Sequence, residues 1–218
     1  MTKAISDVAD YDAADVTLAT GAATRERILA IAADAFASKG YHATGIAELS
    51  EKTGVGRGSL YHHIRSKENL LYEISVSLVG DMVDTAAAIA ASPLSAEQRL
   101  RLLAREQVRS VSEHRAGLTV SLHEARALTP EHRQKVIGLR RRYIQIWSDV
   151  MAEGAAEGSL RPVSPLILRG FLGLFNSTYL WLDLQGPLTS EQIADEFLDL
   201  AFEGIIKRPP ELERTGVA

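Results

Sequence analysis

Cysteine is absent from the 218 residues. That excludes a disulfide framework, a thiolate metal site and a cysteine nucleophile. Aromatic residues make up only 6 % of the chain and no run of eighteen apolar residues occurs, so no membrane-spanning helix is expected. The start of the sequence lacks the basic-then-apolar layout of a secretory leader, and a cytoplasmic location with no membrane partner is the expectation. Strand-like alternation and internal repeats are missing too, which leaves helical periodicity as the organising signal. Catalytic signatures are equally scarce. His123-Glu124 opens like the zinc motif HExxH, but position 127 is Ala and the second ligand is missing. GxSxG, P-loop and GxGxxG patterns do not occur, and the run of glycines at 54, 56 and 58 lacks the lysine that phosphate loops need. His62 and His63 are adjacent, while His114, His123 and His132 stand nine apart, so neither set has metal-ligand spacing. The expectation is a protein that is not an enzyme and has no catalytic residue, metal or cofactor.

What is present is a hydrophobic content of 46 %, enough for a sizeable core, with a net charge of −4. Such a balance argues against indiscriminate coating of nucleic acid. Between Gly45 and Ile64, however, two short helical patterns flank a Gly-Val-Gly break. Ile46 and Leu49 share one helix face, Gly54 marks a stop and turn, and Val55 plugs that turn. Leu60 and Ile64, four apart, give the second segment its own apolar stripe. Two short helices joined by a Gly-containing turn make a helix-turn-helix, whose second helix enters the major groove of DNA. Charge is segregated in the required direction: residues 24–72 hold seven Lys/Arg against five Asp/Glu, a local +2 that leaves −6 for the rest. Arg57, Ser59, Tyr61 and His62 are the side chains expected at DNA; Arg57 reaches a guanine edge or a phosphate, and Gly58 lets the backbone lie close to the groove.

Residues 24–72 resemble the DNA-binding domain of the tetracycline-repressor (TetR) family of bacterial transcription regulators. The resemblance rests on Arg27-Ile-Leu-Ala30, on Ala35-Phe-Ala37, on Lys39-Gly-Tyr41, on Thr44 and on the run from Gly54 to Leu71. It implies an all-α protein with an N-terminal three-helix helix-turn-helix domain and a C-terminal helical bundle for ligand binding and dimerisation. It also implies phosphate contacts from the Tyr61 hydroxyl, Lys67 and Thr44. Gly45 and Ala47 depart from the family pattern, which has a hydroxyl and a polar residue there; with Gly at 45, only the Glu48 half of a capping box survives.

Along the chain, residues 1–22 read as a flexible tail too acidic to serve as a DNA-binding arm. A first helix is expected over 24–39 with Thr24 as its N-cap, then a long helix over 67–91 capped by Ser66, with Glu68 in its first turn. Further helices are expected over 95–114, 116–128, 131–157, 164–184 and 189–207. The corresponding domains are 23–70 for DNA and 71–208 for ligand and dimer, with 209–218 a second flexible tail.

Gly170, Gly173 and Ser177 form a small-residue strip that admits a close neighbour, and Ile193, Phe197, Leu200, Ala201 and Gly204 form an apolar stripe. Both suit a homodimer interface, though plain core packing gives the same pattern. Arg140, Tyr143, Trp147, Arg169, Asn176 and Trp181 are the candidates for lining a small-molecule pocket; aromatic stripes are also what an ordinary core shows, and an arginine run is also what a solvated helix face shows. The segments His123–Arg126, 141–158, 160–162 and 181–189 are similar to family members that control fatty-acid or steroid catabolism and respond to acyl-CoA thioesters. The resemblance therefore implies a repressor that binds palindromic operator DNA as a homodimer and is released by such an effector. The alternatives are a constitutive DNA-binding protein without a ligand and a multidrug-efflux regulator sensing planar apolar compounds.

Overall fold

A computed structural model describes residues 6–183 and 185–203, which form nine α-helices and one 3-10 turn, with no strand among them. The helices are α1 (Ser6–Lys39), α2 (Ile46–Thr53), α3 (Arg57–Ile64), α4 (Lys67–Ala90), α5 (Ala96–Glu113), α6 (Arg115–His123), α7 (Pro130–Ala156), α8 (Pro165–Trp181) and α9 (Ser190–Glu203), with the turn at Ala125–Ala127. The all-α expectation holds. No helix among the described residues is long and apolar enough to cross a membrane.

Three helix boundaries differ from the sequence expectation. The backbone is helical from Ser6, so Thr24 lies inside α1 rather than at its N-cap, and the acidic stretch read as a tail belongs to that helix. Its composition explains this: no Pro or Gly interrupts residues 6–20, and Ala, the strongest helix former, recurs. Residues 1–5 lie outside the described residues. The helix expected over 116–128 stops at His123, where the chain tightens into the 3-10 turn and Glu124 turns back to accept a hydrogen bond from the Tyr41 N–H at 3.1 Å. α8 ends at Trp181 rather than at 184. The expected run of α9 to residue 207, with Gly204, and the tail at 209–218 lie outside the described residues.

The chain divides into two compact units, Met1–Thr85 with His114–Ile144, and Ala86–Glu113 with Gln145–Ala218. This is not the linear division at residue 70, because α6 returns to pack on α1. In the first unit Ile28, Phe36, Leu49, Leu60, Ile64, Leu70 and Leu71 are almost wholly withdrawn from solvent. Each such side chain contributes roughly 1.5–3 kcal/mol by its burial. Gly40, at φ +87°, ends α1 in the left-handed conformation that glycine tolerates. Phe36 and Tyr41 then meet edge to face at 5.2 Å.

In the second unit α5 packs on both α8 and α9. Arg105 makes a two-pronged bond to Asp195 at 2.9 and 2.7 Å, and Arg101 reaches Asp199 at 2.8 Å. Phe175 sits at the centre of this unit with ring neighbours Trp147, Phe171 and Phe197. Ser164 caps α8 by accepting the Ile167 N–H, ahead of Pro165 at the first helical position.

Candidate nucleic-acid interface

The turn between α2 and α3 is held by its own polar groups. Gly54 takes φ +66° and its N–H returns to Glu51 O. The Ser50 hydroxyl donates to Val55 O at 2.6 Å, the Thr53 hydroxyl to Leu49 O at 2.7 Å, and Arg27 to Thr53 O at 3.3 Å. Val55 packs against the core beneath. These bonds fix the entry into α3, and two fully buried anchors, Leu60 and Ile64, fix its rotation. The opposite side of α3 is what the expectation named: Arg57, Gly58, Ser59, Tyr61 and His62 are all exposed, and Tyr61 keeps 49 % of its surface. A Cβ at Gly58 would meet no atom of the described residues within 4 Å, so none of them covers that position.

Thr44 is a correction. It is fully buried, and its hydroxyl donates to Ala35 O at 3.2 Å and Gly40 O at 3.0 Å, so it closes the α1–α2 turn and offers nothing to a phosphate. Nor does it cap α2: the N-cap is Gly45, with no side-chain bond. Glu48 is drawn elsewhere, to Lys39 at 2.7 Å and Lys52 at 3.2 Å, and the hydrogen bonds from these two lysines hold its carboxyl below the usual range. Ser66 does cap α4, accepting the Asn69 N–H at 2.9 Å.

Local ion pairs reshape the basic patch. Lys39 and Lys52 share Glu48, and Arg25 pairs with Glu73 at 2.7 Å. Lys67 is half-buried with its ammonium 4.4 Å from the centre of the Tyr41 ring; burial lowers its pKa, partly opposed by Glu124. Burial, reinforced by Glu68 and Glu124, raises the Tyr41 phenol. Arg57 and Arg65 are exposed and have no ion-pair partner among the described residues.

Three features around the interface were not anticipated. Glu68, read as a first-turn charge, accepts the Thr129 N–H at 2.9 Å and bonds His132 Nδ1 at 2.9 and 3.0 Å, while the His132 ring stacks on Tyr72 at 3.8 Å. Burial alone would raise the Glu68 carboxyl, but the bonds from Thr129 and His132 outweigh it and its pKa is lowered. Glu124, the residue that made a zinc motif thinkable, binds the Tyr41 N–H. Both contacts span more than sixty residues of chain, and only their chemistry as acceptors was visible beforehand. The third is Arg65, the only non-glycine among the described residues with positive φ, at φ 57° and ψ −57°. Ser66 N–H bonds Ile64 O across it, a γ-turn of the strained hand. Such a backbone costs on the order of 1–3 kcal/mol, supplied here by the buried Ile64 and Leu70 on either side.

The six residues expected around a ligand are divided between the two units. Arg140 and Tyr143 belong to the first unit; Trp147, Arg169, Asn176 and Trp181 belong to the second. Arg140 is half-buried, donates to Ser121 O and to Ser121 Oγ at 2.9 Å, and its pKa is lowered by burial. Tyr143 and Trp147 are buried, and Asn176 accepts from Gln107 at 2.7 Å. Arg169 and Trp181 both lie exposed rather than in a pocket wall among the described residues. Arg169 has no carboxylate partner among the described residues and so stays in water. Trp181 is the last residue of α8, where the helix ends, with Phe197 edge-on at 6.1 Å. A cavity of about 240 Å³ in the second unit is lined instead by Met151, Ala152, Ala155, Val163, Pro165 and Leu168.

Of the residues expected at a dimer interface, Gly170, Gly173 and Leu200 are exposed, and Ser177, Phe197 and Ala201 are half-buried. Ile193, placed on the same stripe, turns inward with Ala194 and Leu198. Leu166 and Leu180, respectively 77 % and 63 % exposed, lie seven residues either side of Gly173 on the same face of α8.

Comparison with known proteins agrees with this geometry. Residues 28–74 match "Bacterial regulatory proteins, tetR family", and residues 93–205 match "Tetracyclin repressor-like, C-terminal domain". The HTH-type transcriptional repressor KstR2 of Mycobacterium tuberculosis is 30 % identical over 193 residues, covering 84 % of this chain and 93 % of its own. The crystal structure of the TetR family transcriptional regulator PfmR from Thermus thermophilus superposes with a TM-score of 0.78 at 31 % identity, over 83 % of this chain and all of that one. AibR, solved in complex with isovaleryl coenzyme A and operator DNA, gives 0.73 at 28 % identity, over 82 % of this chain and 98 % of that one. With a helix-turn-helix whose outer face is polar and whose inner face is sealed, and with both halves matched, the chain belongs to the TetR family of bacterial transcription regulators.

Proposed function

We propose that the protein represses transcription as a homodimer on palindromic operator DNA and is released by a small-molecule effector, an acyl-CoA thioester of fatty-acid or steroid breakdown. The observation that carries the DNA half is the sidedness of α3: Leu60 and Ile64 are fully buried while Arg57, Ser59, Tyr61 and His62 face water. Residues 23–70 present this face, with Gly58 allowing close approach; Tyr61 and, once drawn off the Tyr41 ring, Lys67 meet phosphates. Thr44 drops out. Residues 71–208 carry the dimer and ligand functions.

The row Leu166, Gly170, Gly173, Ser177 and Leu180 on α8, with Leu200 and Phe202 on α9, supports self-association. A Cβ at Gly170 or Gly173 would touch no atom of the described residues within 4 Å, so packing among these residues does not require the two glycines. Two copies would set their α3 helices about 34 Å apart, one turn of DNA, and the palindrome follows from the two-fold axis.

For the effector, the support is the likeness to KstR2 and to AibR with its bound isovaleryl coenzyme A. Arg140 adds to it, a cation half-withdrawn from water whose hydrogen bonds go to the neutral oxygens of Ser121. A second reading, DNA binding without a ligand, is favoured by the burial of Trp147 as plain core and the exposure of Arg169 and Trp181. Selection of bound duplexes from random sequence tests the first half. The recovered site is palindromic, and Arg57→Ala costs roughly 1–3 kcal/mol and relaxes one position; an unchanged footprint in that variant refutes the assignment. Release of that site by an acyl-CoA, against none by planar apolar cations, separates the ligand readings.

A further inference from the structure

Beside the end of α3 the first unit opens into a cleft of about 670 Å³, with walls that include Arg25 from α1, His62 and His63 from the end of α3, Arg65 from the turn just after it, and Lys135 from α7. Among the described residues its balance of charge is one-sided. Glu73 is the only carboxylate among the described residues of the wall, and it already serves Arg25 at 2.7 Å and the Asn69 amide at 2.8 Å. His132, also in the wall, is bound to Glu68 just outside it, and Lys135 is met by the exposed Glu131 at 2.9 Å. Arg65 faces no carboxylate among the described residues.

Arg65 is also the residue whose backbone is least comfortable. At φ 57° the position suits glycine, and the helix end needs only the Arg65 N–H, which bonds Tyr61 O at 3.1 Å. An arginine there contributes nothing to ending α3 that glycine would not. What it adds is a guanidinium, a fork of donors shaped for phosphate or carboxylate, held at the mouth of a cleft that other cations also line.

We propose that this cleft is a phosphate-binding site, with Arg65 as its principal ligand and Arg25 and Lys135 as flanking cations. Cations arriving from α1, from the end of α3 and from α7 around one opening suit a dianion better than a single carboxylate. The phosphate has two possible sources, a free phosphate ester or the backbone of bound DNA. In the first case the cleft is a second effector site next to the recognition helix; in the second it extends the DNA footprint to three side chains outside α3. Only the second source rests on the DNA-binding reading above.

The test uses the full chain and the variant Arg65→Gly, which removes the guanidinium while keeping the backbone that the turn requires; an unchanged or higher thermal midpoint shows that the variant is folded. Adenosine 5′-monophosphate is titrated by calorimetry at fixed ionic strength, with uncharged adenosine as control. In parallel, affinity for a random-sequence duplex is measured over a range of salt. Nucleotide binding by the wild type that falls at least about tenfold in Arg65→Gly, with adenosine silent, establishes a free phosphate ester as ligand. No nucleotide binding, but a salt slope about one unit shallower in Arg65→Gly, establishes the DNA backbone. No nucleotide binding together with an unchanged salt slope overturns the proposal. If the wild type binds no duplex at all, the DNA reading fails by itself and the nucleotide titration alone decides the cleft.

Discussion

α3 and α8 both leave a face uncovered within the chain, but the faces are chemically opposite. The outer face of α3 carries Arg57, Ser59, Tyr61 and His62, groups that water satisfies while they wait for a polar partner. The outer face of α8 carries Leu166, Gly170, Gly173 and Leu180, which water does not satisfy at all. An uncovered polar face costs nothing in the free protein, so it is compatible with a partner that comes and goes. An uncovered apolar face of this extent favours permanent cover. The contrast separates the two faces by the cost of leaving each empty, which suits the proposed reversible contact on α3 and the proposed lasting one on α8.

The sharpest way to break this contrast is Gly173→Glu. Within one chain the change is harmless or favourable, because the added Cβ meets nothing and Glu is a better helix former than Gly by up to about 1 kcal/mol. Across a close helix–helix contact it places a charge at the centre. Sedimentation equilibrium is expected to show a monomer with normal helical content, and affinity for the selected palindrome to fall by about 10²–10⁴-fold, since two half-sites are no longer linked. A dimer that survives this substitution would remove α8 from the interface.

Leu60→Ala tests the buried side of α3. Removing a fully buried leucine from the small core is expected to cost about 2–5 kcal/mol of stability, read as a lower denaturation midpoint. Because Leu60 fixes the rotation of α3, affinity for DNA falls for every sequence alike, unlike the single-position effect of Arg57→Ala. Loss of specificity without loss of stability would mean that Leu60 is not the anchor its burial makes it.

The sequence was most informative where contacts are local. Leu60 and Ile64 are four residues apart on one helix, and Gly54 sits at the turn it makes, so spacing alone gave the sidedness of α3. Ser66 as cap of α4 was equally plain, because cap and recipient N–H are three residues apart. Thr44 misled, since a hydroxyl before a helix suits either an outward bond to a phosphate or a bond back to a preceding turn, and Gly40 O and Ala35 O claimed it. The ligand candidates were less legible for a different reason. Aromatic and arginine residues at helical spacing have the same pattern whether they line a cavity, fill a core as Trp147 does, or end in solvent as Trp181 does. Which of these occurs depends on neighbours brought from far along the chain.

Glu68 is where the two kinds of information meet, and it offers the smallest but cleanest effect. Its place in the first turn of α4 was legible; its bonds to Thr129 and His132, more than sixty residues on, were not. Those bonds lower the carboxyl pKa in the folded protein despite burial, so the folded state binds the Glu68 proton more weakly than the unfolded chain does. The stabilisation is therefore present at pH above the unfolded value of about 4.3 and disappears as pH falls through the lower folded value. Glu68→Gln keeps an acceptor for the Thr129 N–H but no charge. It should lower stability at neutral pH by about 1 kcal/mol or less, and the two denaturation curves should converge in acid. A difference that is constant with pH would show that Glu68 acts by shape alone and that its charge contributes nothing to the contact between α4 and the start of α7.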